Sequence, residues 1–323
     1  MAFSLTLDER LYCTRGLSKM MTRYRPGDGM SPTSDIVACS DIQAWCLAAW
    51  NAVRQVRDHA GAMPQRLTLD LPGTVVTVER GGQWQAQVPV PDAARDILDC
   101  LLPLAAQEGP LAIAQLGQSL DGRIATQSGH SHYINGIDSR THLHRLRGLV
   151  DAVLVGAGTV CEDDPQLNVR HVPGDNPVRV VLDPRGRVPA ERHVFQVPDA
   201  PTLHLVGAHA VPQGPVGDHV IRAVVDSQDG RVSPHAVIDY LAGLGHTRLL
   251  IEGGGTTVSR FLEAGALHRL HLLIAPLLIG SGRAGLLMPP IVTLDEALRP
   301  VTRWFRCGDD TIADLDFTVA RRA

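Results

Sequence analysis

Three apolar runs in this chain break into glycine and then into hydroxyls or acids. "LAIAQLGQSLDGRIATQSGHSHYI" leaves its apolar stretch at Gly117 and turns at Asp121-Gly122. "DAVLVGAGTVCEDDPQLNVR" and "LLIEGGGTTVSRFLEAG" break at Gly156 and Gly253. Glycine lets a phosphate approach the backbone closely, and a helix beginning just beyond it presents free N–H groups and the positive end of its dipole. In the third run Gly253, Gly254 and Gly255 form the turn, while Thr256 and Thr257 add hydroxyls and the first helical N–H groups. One such loop serves a plain tight turn equally well. Two in one sheet suit a dinucleotide, which needs support at both ends. Neither is a GxGxxG or Walker loop, so neither standard nucleotide fingerprint applies.

The charged candidates divide by geometry. Arg140, Arg145 and Arg147 share a helical stretch, and Arg170 follows "DDPQLNV". Most single arginines are solvated surface, but two near strand ends can clamp a phosphate, which favours the planar guanidinium. Asp163-Asp164-Pro165 reads as a capped turn in preference to a metal pair. His142 and His144 fall about 200° apart on a helix and cannot chelate together. No cysteine or carboxylate spacing near His130, His132, His142 or His144 completes a zinc set, so no metal site is expected. A serine nucleophile lacks its GxSxG elbow.

The elements that must position these groups change character near residue 108. A helix capped by Ser40 or Asp41 is expected, with Ile42, Trp45, Cys46, Ala49, Val53 and Val56 on one face. Strands in "RLTLDLPGTVVTVERGGQWQAQVPV" turn at Arg80-Gly81-Gly82, and a second helix over 92–107 carries Pro103. Residues 1–108 thus form a small α+β unit, the first 30 without clear periodicity. Beyond it, "LAIAQL", "DAVLVGA", "VRVVLD", "TLHLVGA", "VIRAVV", "RLLIEG" and "LHLLIAP" are short, near-continuous apolar runs separated by helical stretches such as 139–149 and 257–264. That alternation predicts a mostly parallel sheet covered on both faces. Strands near 270–276 and 315–320 have no long helix between them and are expected to add an antiparallel edge. In such a sheet, ligands bind beyond the carboxyl ends of the strands.

Bulk properties exclude several classes. The length of 323 residues fits about two domains. A net charge of −4 with interspersed signs gives no polyanion-binding surface, so nucleic acid is not an expected partner. No apolar run is long enough to span a bilayer, and no signal peptide is recognisable. Six scattered cysteines without a CxxC pair fit reduced thiols in a cytoplasmic setting.

Taken in order, "SLDGRIA", "SGHSHYI", the Arg147 helix, "DAVLVGAGTVCEDDPQLNVR", "NPVRVVLDPRGRVP", "IEGGGTTVSRFLEAG" and "IAPLLIGSG" resemble the reductase domain of riboflavin biosynthesis, the RibD C-terminal domain family. The resemblance covers 109–323. It implies a dihydrofolate-reductase-like αβα fold and NADPH-dependent reduction of a 5-amino-6-(5-phosphoribosylamino)uracil-like substrate to its ribitylamino form. Carried over by position, Gly117, Tyr133, Thr159, Asp163 and the loop Gly254, Gly255, Thr256 and Thr257 fall where the family contacts NADPH. Ser131, Arg147, Leu167, Arg170 and Glu252 fall where it contacts substrate, with Arg147 and Arg170 on the phosphate. Glu252 is the candidate for orienting the ring-opened sugar or moving its proton. Arg185, with Arg187 beside it, is placed to neutralise a 2′-phosphate, which favours NADPH. The chain departs from the family at Gln115, where lysine is frequent, at Tyr133, where tryptophan is, and at Pro184, where serine is. Residues 1–108 carry neither the HxE nor the PCxxC motif of the family's zinc deaminase, so a reductase without that domain is expected and the N-terminal unit has no assigned role. The alternatives are a related pyrimidine, pterin or nucleoside-like substrate, or a non-catalytic NADPH-binding protein. The family's reductase domains pair, so a homodimer is expected.

Overall fold

The computed structural model describes residues 32–318 except Ala60, Tyr133, Gln213, Gln228 and Asp229. The expectations for the first 30 residues and for Tyr133 therefore lie outside the described residues. Contacts divide the chain into Met1–Gln43 and Ala44–Ala323. The first unit is described only through the start of helix α1 (Pro32–Asp58). That helix begins at Pro32, so Ser40 and Asp41 lie within it and do not cap it. Proline suits a first helical turn, where its missing N–H has no partner to lose.

Within the larger unit, β1 (Arg66–Leu71), β2 (Thr74–Glu79) and β3 (Trp84–Ala86) form an antiparallel sheet. The β2–β3 turn holds Gly81 and Gly82 at positive φ, as the hairpin reading requires. Helix α2 (Asp92–Ala105) carries Pro103 and buries Leu98, Leu101, Leu102 and Leu104. Its side chains share one core with Trp50, Val53 and Val78 and with Ile113, Val153 and Leu250 beyond residue 108. Arg248 ties the end of this helix down. Its guanidinium donates to the carbonyls of Leu104 (2.6 Å), Gln107 (3.1 Å) and Leu149 (3.1 Å), satisfying acceptors that a helix C-terminus leaves open. Burial, and then the nearby Arg57, bring the Arg248 pKa down to about 10.

The remaining elements build a nine-stranded sheet. They are β4 (Leu111–Ser119), β6 (Ala152–Gly156), β7 (Val178–Asp183), β8 (Thr202–Val206), β9 (Val220–Val224), β10 (Arg248–Glu252), β11 (Arg269–Ala275), β13 (Val301–Cys307) and β14 (Asp310–Asp316). Their spatial order is β13-β14-β11-β4-β10-β6-β7-β8-β9. The seven apolar runs are the seven parallel strands, and β14 and β13 add the antiparallel edge. Two details differ from the sequence reading. The strand near 270 pairs antiparallel with β14, as expected, but is also parallel to β4, and β13 adds a second antiparallel pair beyond β14. The β13 segment "VTRWFRC" was not anticipated because it alternates charge and ring on a half-exposed edge. Short β5 (Arg123–Ala125) and β12 (Arg283–Ala284) pair beside the sheet. Helices α3 (Ile137–Arg147), α4 (Ala157–Asp163), α5 (His193–Gln196), α6 (Pro234–Gly243) and α7 (Gly255–Glu263) connect the strands. Two apolar cores flank the sheet. One holds Val153, Val155 and Leu250, and the other holds Ala152, Leu154 and Ile251, as alternation along doubly covered strands dictates.

Candidate functional site

Parallel strands bring their carboxyl ends to one edge, and a cleft of about 890 Å³ lies there. The order β4-β10-β6-β7 sets its direction. Gln115 and Gly117 stand on β4, Glu252 ends β10, Gly156 ends β6, and Pro184, Arg185 and Arg187 follow β7. Three strand spacings make about 14 Å, a span suited to an extended dinucleotide.

The cleft gathers most of the residues named from sequence. Gly117, Ser131, Thr159, Asp163, Arg185, Glu252, Gly254, Gly255, Thr256 and Thr257 all line it. The glycines after β10 have separate reasons. Gly253 adopts φ +104°, and a Cβ there would meet Thr159 Oγ1 at 2.6 Å. A Cβ on Gly255 would overlap the carbonyl of Gly285. Thr159 Oγ1 accepts from Gly254 N–H at 2.9 Å, so α4 positions the start of α7. That helix starts two residues earlier than its sequence pattern predicts, at Gly255, which puts both threonines in its first turn.

The opening loop is held by acids that serve as acceptors. Asp121 accepts from Ser119 Oγ (2.5 Å), Ile279 N–H (3.1 Å) and Gly280 N–H (2.6 Å). These bonds, that of Ser119 first, bring its carboxyl down to about 2. Asp121 thus pins the turn and has no proton to give. Further on, Asp310 accepts from Asn135 Nδ2, Gly136 N–H and Ser139 Oγ, and Asn135 fills the space a Cβ on Gly117 would need. Asn135 and Asp310 were missed from sequence, because their 175-residue separation leaves no local signal.

Arg147 and Glu252 form a buried bidentate pair at 2.8 and 2.7 Å, and Arg147 Nη1 donates to the Asn168 carbonyl at 2.9 Å. Both carboxylate oxygens are therefore already accepting, with further lone pairs left for hydroxyls. Arg147 lies behind Glu252 and does not line the cleft; Arg170, exposed, and Leu167, buried at φ +56°, are also off its lining. Arg170 donates to Asn168 Oδ1 at 2.8 Å. Partial burial, then Arg147 and Arg140, lowers its pKa, and burial with Arg147, His171 and Arg170 brings His144 down to about 3. Cations therefore crowd behind Glu252. Asp163 is pushed up by desolvation and then by Glu162, while Asp164 ends α4 at φ +42° and accepts from His193 N–H. The tandem acids are thus a helix end, as the turn reading expects.

At the β7 end Asp183 is fully buried. It accepts from the N–H groups of Arg187 (3.1 Å) and Val188 (2.9 Å) and lies 3.2 Å from His204 Nε2. Burial works against its charge, but these bonds outweigh it and hold the carboxyl below its usual range. Asp183 is committed to its own turn. Arg231 and Arg260 also line the cleft, a placement sequence reading missed because both come from segments distant from β7. Among the described residues, Arg185, Arg187, Arg231 and Arg260 make no ion pair.

Gln115 completes the floor. Its Oε1 is buried without a hydrogen-bond partner among the described residues.

Comparisons with known proteins show the family and the fold. Residues 110–310 match the RibD C-terminal domain. The 2,5-diamino-6-ribosylamino-4(3H)-pyrimidinone 5′-phosphate reductase of Methanothermobacter thermautotrophicus is 36% identical over 216 residues, covering 65% of this chain and 98% of that protein. The riboflavin biosynthesis protein RibD of Aquifex aeolicus is 32% identical over 192 residues, 59% of this chain and 53% of that one; the chain thus spans about half of this longer relative. The Saccharomyces riboflavin biosynthesis reductase Rib7 shares the fold, with a TM-score of 0.54 at 22% identity, covering 70% of this chain and 99% of that one. The chain belongs to the RibD C-terminal domain family and has its dihydrofolate-reductase-like fold.

Proposed function

We propose that the chain is an NADPH-dependent reductase of a 5-phosphoribosylaminopyrimidine, producing the ribitylamino form. The observation that carries this reading is one cleft with arginines at its β7 end that make no ion pair among the described residues, and the Arg147–Glu252 pair toward β4. The residues fit a phosphorylated dinucleotide. The N-terminus of α7, from Gly254 to Thr257, would hold the pyrophosphate, and Arg185, Arg187 and Arg231 would hold a 2′-phosphate. Bound there, such a cofactor would supply the hydride for C1′ of the ring-opened, imine-like sugar, whose nitrogen would take a proton.

The protein's part is position. Gly117 leaves the cleft wall at backbone level beside Gln115. Ser131 donates or accepts and Glu252 accepts at the sugar hydroxyls, and Arg170 meets the substrate phosphate at the edge. Glu252 orients: with both oxygens accepting from Arg147, it serves as a fixed acceptor, and a water or the substrate's own groups carry the proton. Holding the reacting carbon against the cofactor is the largest contribution a site of this kind can make.

The archaeal relative is named for a 2,5-diaminopyrimidinone substrate, so the base at C2 is the open variable. Gln115, with a spare acceptor in the floor, favours a base edge that donates, such as an exocyclic amine. The test is NADPH oxidation with the diamino and the deaminated phosphoribosylaminopyrimidines in parallel. Oxidation with either supports the reading. NADPH binding without oxidation of either leaves a different substrate or a non-catalytic binder, and equal efficiency with NADH removes the 2′-phosphate assignment.

We also propose a homodimer built on the C-terminal edge. Among the described residues β13 is the outer strand of the sheet, paired on one side with β14, with Trp304 62% exposed, and Ile291, Val292, Leu294 and Leu298 are exposed just before it. An outer strand beside exposed apolar side chains is a surface for a second copy.

A further inference from the structure

Behind the cleft wall, three residues from three separate elements converge. Cys100 comes from α2, His142 from α3 and His271 from β11. They are 2%, 3% and 0% exposed, and one ligand atom of each lies within 4.8 Å of the others. His142 Nε2 and His271 Nδ1 are 2.8 Å apart, with the rings stacked at 26°. His271 pairs in register with Gln115, so the cluster stands one strand away from the cleft floor. None of the three lines the cleft, so the proposed reduction makes no use of them.

We propose that Cys100, His142 and His271 bind one zinc ion, which fastens the N-terminal helix α2 to the reductase sheet. One thiolate and two imidazoles are the ligand types this borderline-soft ion takes, with water in the fourth position. At Zn–N distances of about 2.0–2.1 Å the two nitrogens would stand about 3.3 Å apart. The imidazole pair need open by only about half an ångström from its hydrogen-bonded separation.

A supporting outer shell is already present. His271 Nε2 is buried, makes no well-formed hydrogen bond among the described residues and lies 3.4 Å from Asp314 Oδ1. With metal on Nδ1, the ring proton sits on Nε2 and points at that carboxylate, the arrangement that fixes tautomer and basicity in metal-bound histidines. Arg269 and Arg303 hold Asp314 in place at 2.9 and 2.7 Å. The charges also close. Zinc's two positive charges are offset by the Cys100 thiolate and Asp314. Arg269 is offset by Asp316 at 2.9 Å, and Arg303 reaches solvent. On binding, the thiol proton leaves to solvent and both imidazoles ligate in their neutral form, so no oxidant or reductant is required.

The test uses the full chain. Protein grown with zinc and freed of loose metal should contain one zinc per chain, and Cys100→Ser should lower that content at least about 10-fold. Replacing zinc by Co²⁺ should give a thiolate charge-transfer band that Cys100→Ser abolishes. A strong chelator should lower the melting temperature of the wild-type chain and leave that of Cys100→Ser unchanged. If Cys100→Ser does not fold, the wild type alone decides. A chain without stoichiometric zinc, without a Co²⁺–thiolate band and with the same melting temperature in zinc and in chelator overturns the proposal. None of these readouts depends on reductase turnover.

Discussion

Glu252 and Arg147 are each other's condition for being buried at the cleft wall. Removing one partner of such a pair leaves an uncompensated charge, at a cost of about 3–5 kcal/mol. Glu252→Gln keeps the shape and loses the charge. It should cut turnover, leave NADPH affinity nearly intact and lower stability by about that amount in urea melts. Unchanged turnover would remove Glu252 from the mechanism. At the other end of the cleft, Arg185, Arg187 and Arg231 are proposed to bear on cofactor choice. Alanine at each should raise the KM for NADPH about 10-fold, the worth of a charge-assisted hydrogen bond. The KM for NADH should hardly move, and a parallel change in both would show that the arginines do not read the 2′-phosphate.

In the proposed function, helix α7 is the element on which cofactor binding turns. Its first residue packs against the Gly285 carbonyl, so Gly255→Ala must displace the helix start. The expected result is a folded chain with weakened NADPH binding, read by fluorescence titration against a circular-dichroism control. Helix α3 carries a pH dependence of its own. His144 lies near 3 in the fold against about 6.5 in an open chain, so the unfolded state takes up the proton first. Its contribution to stability is complete above about 6.5 and is lost as the pH falls toward 3. His144→Asn should flatten the decline in urea midpoint between pH 7 and pH 5; an unaltered slope would assign the decline to other groups.

For the whole molecule, the edge strand β13 and the exposed apolar segment before it are expected to join two copies. Trp304→Glu combined with Val292→Asp should shift sedimentation from dimer to monomer. A wild-type chain that sediments as a monomer at micromolar concentration would discard the pairing. Much of this architecture was legible in the sequence, since seven apolar runs became seven parallel strands. Strands buried on both faces must be apolar at nearly every position, and that signal survives without any partner in view. The edge strand β13 has no such requirement, and it was missed. The early start of α1 was missed for a related reason, because the apolar residues of its first turns form one contiguous run, Ile36 to Cys39, with no helical period.

Local spacing determined the glycine turns and the strand ends. Each depends on backbone conformation or on position along one strand, and both are written in neighbouring residues. Tertiary structure alone decided the pairings. It joined Arg147 to Glu252 across 105 residues, Asn135 to Asp310 across 175, and Cys100 and His142 to His271. It also moved Arg147 from a free phosphate clamp to the partner of an acid, and committed Asp183 to its own turn. A charge or a ligand atom has no period along the chain. What it meets is settled only when separate elements pack face to face.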